Sequence, residues 1–126
     1  MDTEPYRVGF ILVPGFALMS FASAVEPLRA ANLLAERPLF EIRFFSSQAA
    51  MVAASSGTLV ETEPLPRKPD GLDALFVVAG GDVASMAPDP ALFSCLRRMA
   101  RSGLALGGIS GGPYLLAAAG LLHDRR

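Results

Sequence analysis

Ser110 lies in the most glycine-rich segment of the chain, and the residues around it are typical of a reactive turn. The segment is LALGGISGGPYLLAAA and covers residues 104–119. The apolar residues before the glycines predict a buried strand, and the Ala- and Leu-rich residues after Pro113 predict a helix. Pro113 suits the first helical position, where a missing N–H costs nothing. The segment therefore predicts a strand, a sharp turn and a helix, with Ser110 at the tip as a nucleophile or as part of a seat for an anion or carboxylate.

Two other interpretations of this segment stay open. A glycine-rich turn between a strand and a helix can serve the structure alone. Residues 104–122 also carry no charge, and the pairs Gly107/Gly111 and Gly108/Gly112 have the spacing of a helix-dimer face in a membrane. Against the membrane interpretation, a Gly-Gly-Ile-Ser-Gly-Gly-Pro centre is a poor helix interior, and the remaining chain has the pattern of an ordinary soluble fold.

A catalytic serine needs a base within hydrogen-bonding reach, and the sequence offers few candidates. The single histidine, His123, follows Ser110 by thirteen residues, so a helix between them would keep the two side chains apart unless the tail reversed. Glu26 is predicted near the start of a helix, and Asp82 in a turn that follows a strand. Cys95 falls on the inner face of a predicted helix, as a small core residue. Catalysis by Ser110 therefore lacks an evident partner.

The composition limits the classes of function that remain. The 126 residues suit a single domain that covers residues 1–126, with 52% hydrophobic and 18% charged residues. The net charge is −1 and the basic residues are scattered, so this chain by itself is not expected to bind nucleic acid. The single cysteine excludes an intrachain disulfide. The segment MDTEP at the start is not a signal peptide, so we expect a cytoplasmic protein.

No metal or cofactor is predicted. The spacing of His, Cys, Asp and Glu matches no metal site, and no GxGxxG or Walker pattern follows a strand.

Strands and helices are predicted to alternate along the chain. Apolar runs and alternation predict strands at residues 6–13, 40–46, 51–53, 58–61, 74–78 and from 104. The short strands 51–53 and 58–61 flank a Ser-Ser-Gly turn and so predict a hairpin, and residues 64–71 predict a surface loop. This order favours an α/β fold with a doubly wound parallel sheet and helices on both faces.

Three helices are expected between and after these strands. The first ends near residue 35 and begins either near Ser23, with Ser23 and Glu26 as a capping box, or near Ser20 with a bend at Pro27. The second runs from an Asp-Pro cap at residues 89–90 to about residue 102. The third follows the serine turn.

Three turns are expected to meet beyond the carboxyl ends of the strands, where parallel sheets bind ligands. The predicted ligand-binding residues come from these turns: Pro14, Gly15 and Phe16; Gly80, Gly81 and Asp82; Ser110 and Gly111. Such a site holds one hydroxyl, backbone N–H groups, one or two carboxylates and the aromatic residues Phe16 and Phe21. This chemistry suits a small amino-acid-like molecule, with its carboxylate at a helix N-terminus and a cationic group on aromatic and acidic side chains.

The chain resembles the class I glutamine amidotransferase-like (PfpI/ThiJ-type) domain, in the version fused to the N-terminus of AraC-type transcriptional regulators. The resemblance covers roughly residues 7–122 and rests on three segments: VGFILVPGFALMSFASAVEPLRAAN, ALFVVAGGD and GGISGGPYLLAAAGLL. Within that group it looks most like regulators of arginine, glycine betaine or carnitine catabolism. The resemblance implies a flavodoxin-like domain that senses a small metabolite and forms a homodimer, with DNA bound through a helix-turn-helix domain that this chain lacks.

The chain departs from the family's enzymes at two positions. Where those enzymes carry a cysteine at the turn, this chain has Ser110, and where they carry a glutamate early in the first helix region, the matching position is Ser20. The absence of both the cysteine and the glutamate favours a sensor that does no catalysis. The chain also stops just after the third helix, where the family's domain continues. We therefore expect a sheet truncated at the C-terminus, whose uncovered edge is covered by a second copy.

Three hypotheses follow for the function. The first is a non-catalytic domain of an AraC-type regulator that senses a small-molecule effector, an amino acid or a quaternary ammonium compound. The second is a small PfpI/ThiJ-like hydrolase or amidotransferase-like enzyme with Ser110 as nucleophile. The third is a dimerisation module with an empty pocket.

Overall fold

The computed structural model describes residues 4–48 and 50–122. Strands and helices alternate along this part of the chain, with a short 3-10 turn at Val83–Ser85 before the second helix. The elements are β1 (Tyr6–Leu12), α1 (Leu18–Ala35), β2 (Phe40–Ser46), β3 (Met51–Ala53), β4 (Leu59–Glu61), β5 (Glu63–Pro64), β6 (Ala74–Ala79), α2 (Pro90–Arg101), β7 (Ala105–Ser110) and α3 (Gly112–Ala118).

The main sheet is parallel throughout and has the strand order β5-β2-β1-β6-β7. After β1 the chain first builds β2 on one side and later β6 and β7 on the other, so the winding direction changes between β1 and β6. Ligands of such sheets bind at this point, beyond the carboxyl ends of the strands. The predicted doubly wound, flavodoxin-like α/β fold is confirmed. The predicted hairpin is also present, since β3 and β4 pair in antiparallel fashion.

The sheet is covered on both faces, because alternate residues of each central strand point to opposite sides. On one face, Val8, Phe10 and Leu12 of β1 pack against α1 and the β3–β4 hairpin. On the other face, Ile11 of β1 and Val77 of β6 pack against α2 and α3. Strands that are buried on both faces must be apolar at almost every position. This requirement explains the unbroken apolar runs in β1 and β6.

Helix α2 begins as its sequence predicts. Asp89 is the N-cap residue, and its Oδ1 accepts a hydrogen bond of 3.2 Å from the backbone N–H of Leu92. Pro90 occupies the first turn, where its missing N–H costs nothing. The inner face is Leu92, Cys95, Leu96 and Met99, and all four side chains are buried. Cys95 is therefore a core residue, as expected, and its burial raises the pKa of the thiol.

Helix α1 begins close to the second of its two predicted starts, the one near Ser20, so the alternative start near Ser23 with a capping box of Ser23 and Glu26 is wrong. The first helical residue is Leu18, the N-cap residue Ala17 offers no capping side chain, and Pro27 lies inside the helix. Glu26 instead accepts hydrogen bonds of 2.8 and 3.0 Å from Arg29, one turn further along the helix. Packing of the helix on the sheet therefore decides its start, since no local signal marks it.

The membrane interpretation of residues 104–122 is wrong, because this segment divides into strand β7 and the short helix α3. In the part of the chain that the structure describes, no helix is long and apolar enough to cross a membrane. A smaller difference concerns the predicted surface loop from residue 64. Its first residue belongs to β5, which pairs with the end of β2.

Candidate functional site

The turns after β1, β6 and β7 lie against one another because these three strands are neighbours in the sheet. Their contacts are so close that only glycine fits. A Cβ atom on Gly80 would collide with the carbonyl oxygen of Gly15, and a Cβ on Gly111 would collide with the carbonyl oxygen of Gly80. The structure thus brings together the three turns that the sequence analysis singled out, through direct backbone packing.

Ser110 is the last residue of β7 and forms the tip of a strained turn. Its φ is 57°, in the left-handed region that residues with a Cβ rarely adopt. The N–H of Gly111 donates a hydrogen bond of 3.1 Å to the carbonyl of Ala79. Gly112 packs so closely on the Val77 carbonyl that a Cβ would collide with it. This backbone raises the Ser110 side chain to the surface at the end of the sheet, the geometry of a nucleophile elbow.

The hydroxyl of Ser110 has no base beside it among the described residues. No described side chain makes a hydrogen bond to it. His123 lies outside the described residues, so its predicted separation from Ser110 stays a prediction. Glu26 is engaged by Arg29, and these hydrogen bonds lower the pKa of its carboxyl group, which makes it a weaker base. A serine hydroxyl needs a hydrogen-bonded base for nucleophilic attack, and residues 4–48 and 50–122 place no such base on Ser110.

A shallow cleft of about 550 Å³ opens beside these turns. It is lined by Pro14, Gly15, Ala17, Ala53, Ala54, Ser55, Gly80, Gly81 and Asp82. Among these lining residues, Asp82 has the only charged side chain, and it is exposed. Ser110 and Gly111 do not line the cleft. They lie next to it, on the far side of Gly80, which Gly111 contacts directly.

The rings of Phe16 and Phe21 lie in the core. Phe16 is 0% exposed and Phe21 is 8% exposed, and their ring centroids are 5.3 Å apart. This placement corrects the expectation that these rings offer an aromatic face to a cationic group. Phe16 borders the site through its backbone alone, since its carbonyl accepts a hydrogen bond of 2.8 Å from the N–H of Ser55.

The sequence analysis missed the contribution of the β3–β4 hairpin to the cleft. The carbonyl of Ala53 accepts a hydrogen bond of 2.8 Å from Gly15, and Ala54 forms a bridge with Phe16. These contacts place Ala53, Ala54 and the exposed Ser55 on the wall of the cleft. The segment predicted a hairpin but carried no signal for where that hairpin would dock.

Two further cavities lie away from the carboxyl ends of the strands. A groove of about 760 Å³ lies at the opposite end of the sheet, between Tyr6, Arg37 and Phe40. Its other arginine, Arg7, pairs with Asp73 at 3.3 Å. An apolar groove of about 450 Å³ runs beside β7. Among the described residues, no three metal-ligating side chains lie together in one place.

Comparison with known proteins gives a consistent set of relatives. No family model matches the chain. It is 50% identical over 119 residues to the HTH-type transcriptional regulator GlxA of Rhizobium meliloti, a match that covers 94% of this chain and 37% of that protein. It is 45% identical over 121 residues to the HTH-type transcriptional regulator CdhR of Pseudomonas aeruginosa, covering 93% of this chain and 34% of that protein. The chain therefore spans about a third of the length of these curated relatives.

Solved structures agree with these sequence relatives. The crystal structure of an AraC family transcriptional regulator from Pseudomonas putida superimposes with a TM-score of 0.82 at 33% identity, covering 94% of this chain and 72% of that one. A ThiJ/PfpI domain protein from Brachyspira murdochii superimposes with a TM-score of 0.78 at 13% identity, covering 98% of this chain and 69% of that one. At that identity the second likeness concerns the fold alone.

Proposed function

We infer the role of this chain from its family: it belongs to the class I glutamine amidotransferase-like (PfpI/ThiJ-type) domains that AraC-type transcriptional regulators carry. We propose that it binds a small-molecule effector, forms a homodimer and does no catalysis. The observation that carries this proposal is the 50% identity to a transcriptional regulator over 94% of the chain. In this proposal, DNA is bound through a C-terminal helix-turn-helix domain outside the 126 residues, and the protein works in the cytoplasm.

The proposed effector is an amino acid or a quaternary ammonium compound. The cleft of about 550 Å³ has the size for a small molecule, and the exposed carboxylate of Asp82 offers a partner to a cationic group. The Ser110 hydroxyl and the backbone of the neighbouring turns offer hydrogen bonds to a carboxylate. The proposed ligand-binding residues are Pro14, Gly15, Phe16 through its backbone, Gly80, Gly81, Asp82, Ser110 and Gly111.

A second candidate function is favoured by one observation. The left-handed backbone of Ser110, with φ at 57°, is the conformation of a nucleophile elbow. It supports a small PfpI/ThiJ-like hydrolase or amidotransferase-like enzyme with Ser110 as nucleophile. Two observations weigh against this alternative: the hydroxyl has no base among the described residues, and the relatives are named as transcriptional regulators.

The proposal is tested by thermal unfolding in the presence of L-arginine, glycine betaine and L-carnitine. Binding stabilises the folded state by mass action, by about 2.7 kcal/mol at a hundred times the Kd, so an effector raises the midpoint of unfolding. We expect at least one of these compounds to raise it. Asp82→Asn, which keeps the shape of the side chain but removes its charge, is expected to abolish most of the shift.

Asp70→Asn serves as the matched control, because Asp70 is an exposed acid outside the cleft. It should leave the shift unchanged. If none of the three compounds shifts the folded wild-type protein, the sensor proposal fails and a dimerisation module with an empty pocket gains support. If the protein hydrolyses p-nitrophenyl acetate and Ser110→Ala loses that activity, the enzyme alternative replaces the sensor.

A further inference from the structure

Positively charged side chains that are distant in the sequence come together at the C-terminal end of helix α2. The loop between β5 and β6 supplies two of them, and the last turns of α2 supply three. We call this cluster the basic band: Arg67, Lys68, Arg97, Arg98 and Arg101. The guanidinium-bearing residue Arg98 is half-buried, and the other four members are exposed. The band holds five of the eleven Lys and Arg residues of the whole chain.

Hydrogen bonds from α2 hold the loop and the helix together. The Nε of Arg98 donates a hydrogen bond of 2.9 Å to the carbonyl of Arg67, 31 positions away in the chain, and its Nη2 donates one of 3.2 Å to the carbonyl of Pro66. The Nε of Arg97 donates a hydrogen bond of 3.0 Å to the carbonyl of Ala119, at the end of α3. Since successive residues of a helix point about 100° apart, the band crosses the end of α2 from the loop to α3.

Among the described residues, no acid forms an ion pair with the basic band. The acceptors of Arg97 and Arg98 are neutral carbonyl groups, so both guanidinium groups keep their full charge. The ion pairs of the described residues use other arginines: Arg7, Arg29 and Arg43. The sequence has no Asp or Glu from residue 90 to residue 122, and residues 64–71 contribute one exposed acid, Asp70. The surface is therefore locally positive on a chain whose net charge is −1.

The macrodipole of α2 explains only part of this cluster. Cations near the C-terminus of a helix are stabilised by its last carbonyl groups, and Arg98 and Arg101 lie in the last turn of α2. Arg67 and Lys68 belong to a loop, and their side chains bond to no other described residue. They stand beside cations that repel them. Like charges held together in this way indicate a surface for an anionic partner.

The chemistry of the basic band fits the phosphate backbone of DNA. A guanidinium group has five N–H donors and Arg98 uses two of them within the protein, so donors remain for phosphate oxygens. The loop and α2 contribute no exposed large apolar side chain, which a basic region that binds a lipid surface normally inserts. The relatives of this chain are HTH-type transcriptional regulators, so in the proposed function this domain is tethered close to DNA.

We propose that the basic band contacts the phosphate backbone of double-stranded DNA and adds this affinity to that of the helix-turn-helix domain expected outside the 126 residues. The inference rests on the proposed function in one respect, that the partner is DNA. Phosphate contacts carry no sequence information, so the band strengthens binding without choosing the site. The surface is not visible in the sequence, because the loop and the helix that form it are far apart in the chain.

The test measures binding of the 126-residue chain to a short fluorescein-labelled DNA duplex by fluorescence anisotropy at several salt concentrations. If about four of the cations contact phosphates, the logarithm of the affinity falls with the logarithm of the salt concentration with a slope of about −3.6. The affinity then falls about 150-fold between about 50 and 200 mM salt. Two duplexes of unrelated sequence should bind equally well.

Two double variants with the same net charge test whether the band is responsible. Arg67→Gln/Lys68→Gln should make the slope shallower by about 1.8 and weaken binding at about 50 mM salt at least tenfold. Arg29→Gln/Arg37→Gln is the matched control, because it removes two charges from exposed arginines outside the band. It should leave the slope unchanged. Circular dichroism confirms that both variants fold.

Each other outcome overturns the inference. A wild-type chain that binds neither duplex at low salt has no such surface, and equal losses in the two double variants would show that net charge alone governs binding. Binding to phosphatidylglycerol vesicles without binding to DNA would assign the band to a membrane surface instead. Failure of the proposed function appears separately, as a chain that binds DNA but whose unfolding midpoint no effector shifts.

Discussion

Ser110 retains a side chain at a position where glycine would be less strained. Its φ of 57° is unfavourable for any residue with a Cβ, and the glycines that follow it fit against the backbone of β6 and its turn. The turn is therefore sharp because Gly111 and Gly112 lack side chains, while the residue at the tip keeps a hydroxyl. Strained residues with exposed polar groups cluster at binding and active sites. This residue-scale observation supports a role in ligand binding.

The strain at Ser110 is measurable by comparing two variants that both lack the hydroxyl. Ser110→Gly is expected to be more stable than Ser110→Ala by about 1 kcal/mol, because glycine adopts the left-handed backbone without steric conflict. Urea unfolding followed by circular dichroism measures the difference. Ser56, exposed in the hairpin and outside the residues with positive φ, supplies the control pair Ser56→Gly and Ser56→Ala. Equal stability of the two Ser110 variants would contradict the strained turn.

The helices show two different ways in which an element is specified. Helix α2 has a capping aspartate, a proline in its first turn and one clearly buried face, so local sequence marks both its start and its orientation. Helix α1 has no capping side chain, carries Pro27 in its interior and is apolar on both sides. Its position follows from packing of residues such as Phe21 on the sheet. An element held in this way needs its tertiary contacts.

The cap of α2 gives a prediction at the scale of this element. The carboxylate of Asp89 accepts two hydrogen bonds. Its Oδ1 accepts one of 3.2 Å from the backbone N–H of Leu92, and its Oδ2 accepts one of 2.6 Å from the hydroxyl of Ser47. Asp89→Ala is expected to lower the free energy of unfolding by about 1 kcal/mol, the usual loss for an N-cap residue. Asp89→Asn keeps an acceptor for Leu92 and should lose less.

Ser47→Ala removes only the second hydrogen bond of Asp89 and so isolates its contribution. The free energies come from urea unfolding monitored by circular dichroism. The cap assignment is disproved if Asp89→Ala and Asp89→Asn are equally stable and both match the wild type.

The whole molecule is a parallel sheet between two apolar layers. One layer joins β1 to α1 and the hairpin, and the other joins β6 to α2 and α3. In the part of the chain that the structure describes, β7 pairs only on its β6 side. Among the described strands β5 is the other edge of the sheet, so the outer sides of β5 and β7 are the places at this scale where further chain can be added.

The reactivity of the Cys95 thiol measures how often the apolar layer between the sheet and helices α2 and α3 opens to solvent. Cys95 is the chain's single cysteine, it is 1% exposed, and burial raises the pKa of its thiol. Ellman's reagent should therefore react with the native protein at least about a thousandfold more slowly than with the unfolded chain, because reaction needs an opening that costs several kcal/mol. Ser56→Cys adds an exposed thiol that should react at once and calibrates the assay. Rapid native reaction of Cys95 would show instead that α2 opens on its own.

Local sequence determined the parts of this protein whose physical cause is local. The apolar runs of β1 and β6 follow from burial on both faces, the cap of α2 from one aspartate, and the turn at Ser110 from the glycines around it. The joining of the three turns at one end of the sheet followed from the order of strands and helices.

Only the tertiary structure decided the rest, because the contacts responsible join residues far apart in the chain. The hairpin docks beside Gly15 and contributes Ser55 to the cleft, and the ring of Phe16 fills the core although its backbone borders the site. The start of α1 at Leu18 depends on packing against the sheet, with no side chain to mark it. The exposure of Met19, Leu33 and Leu34 on α1 became visible only when the inner face of that helix was known, since a helix with apolar residues on both sides does not tell which side faces solvent.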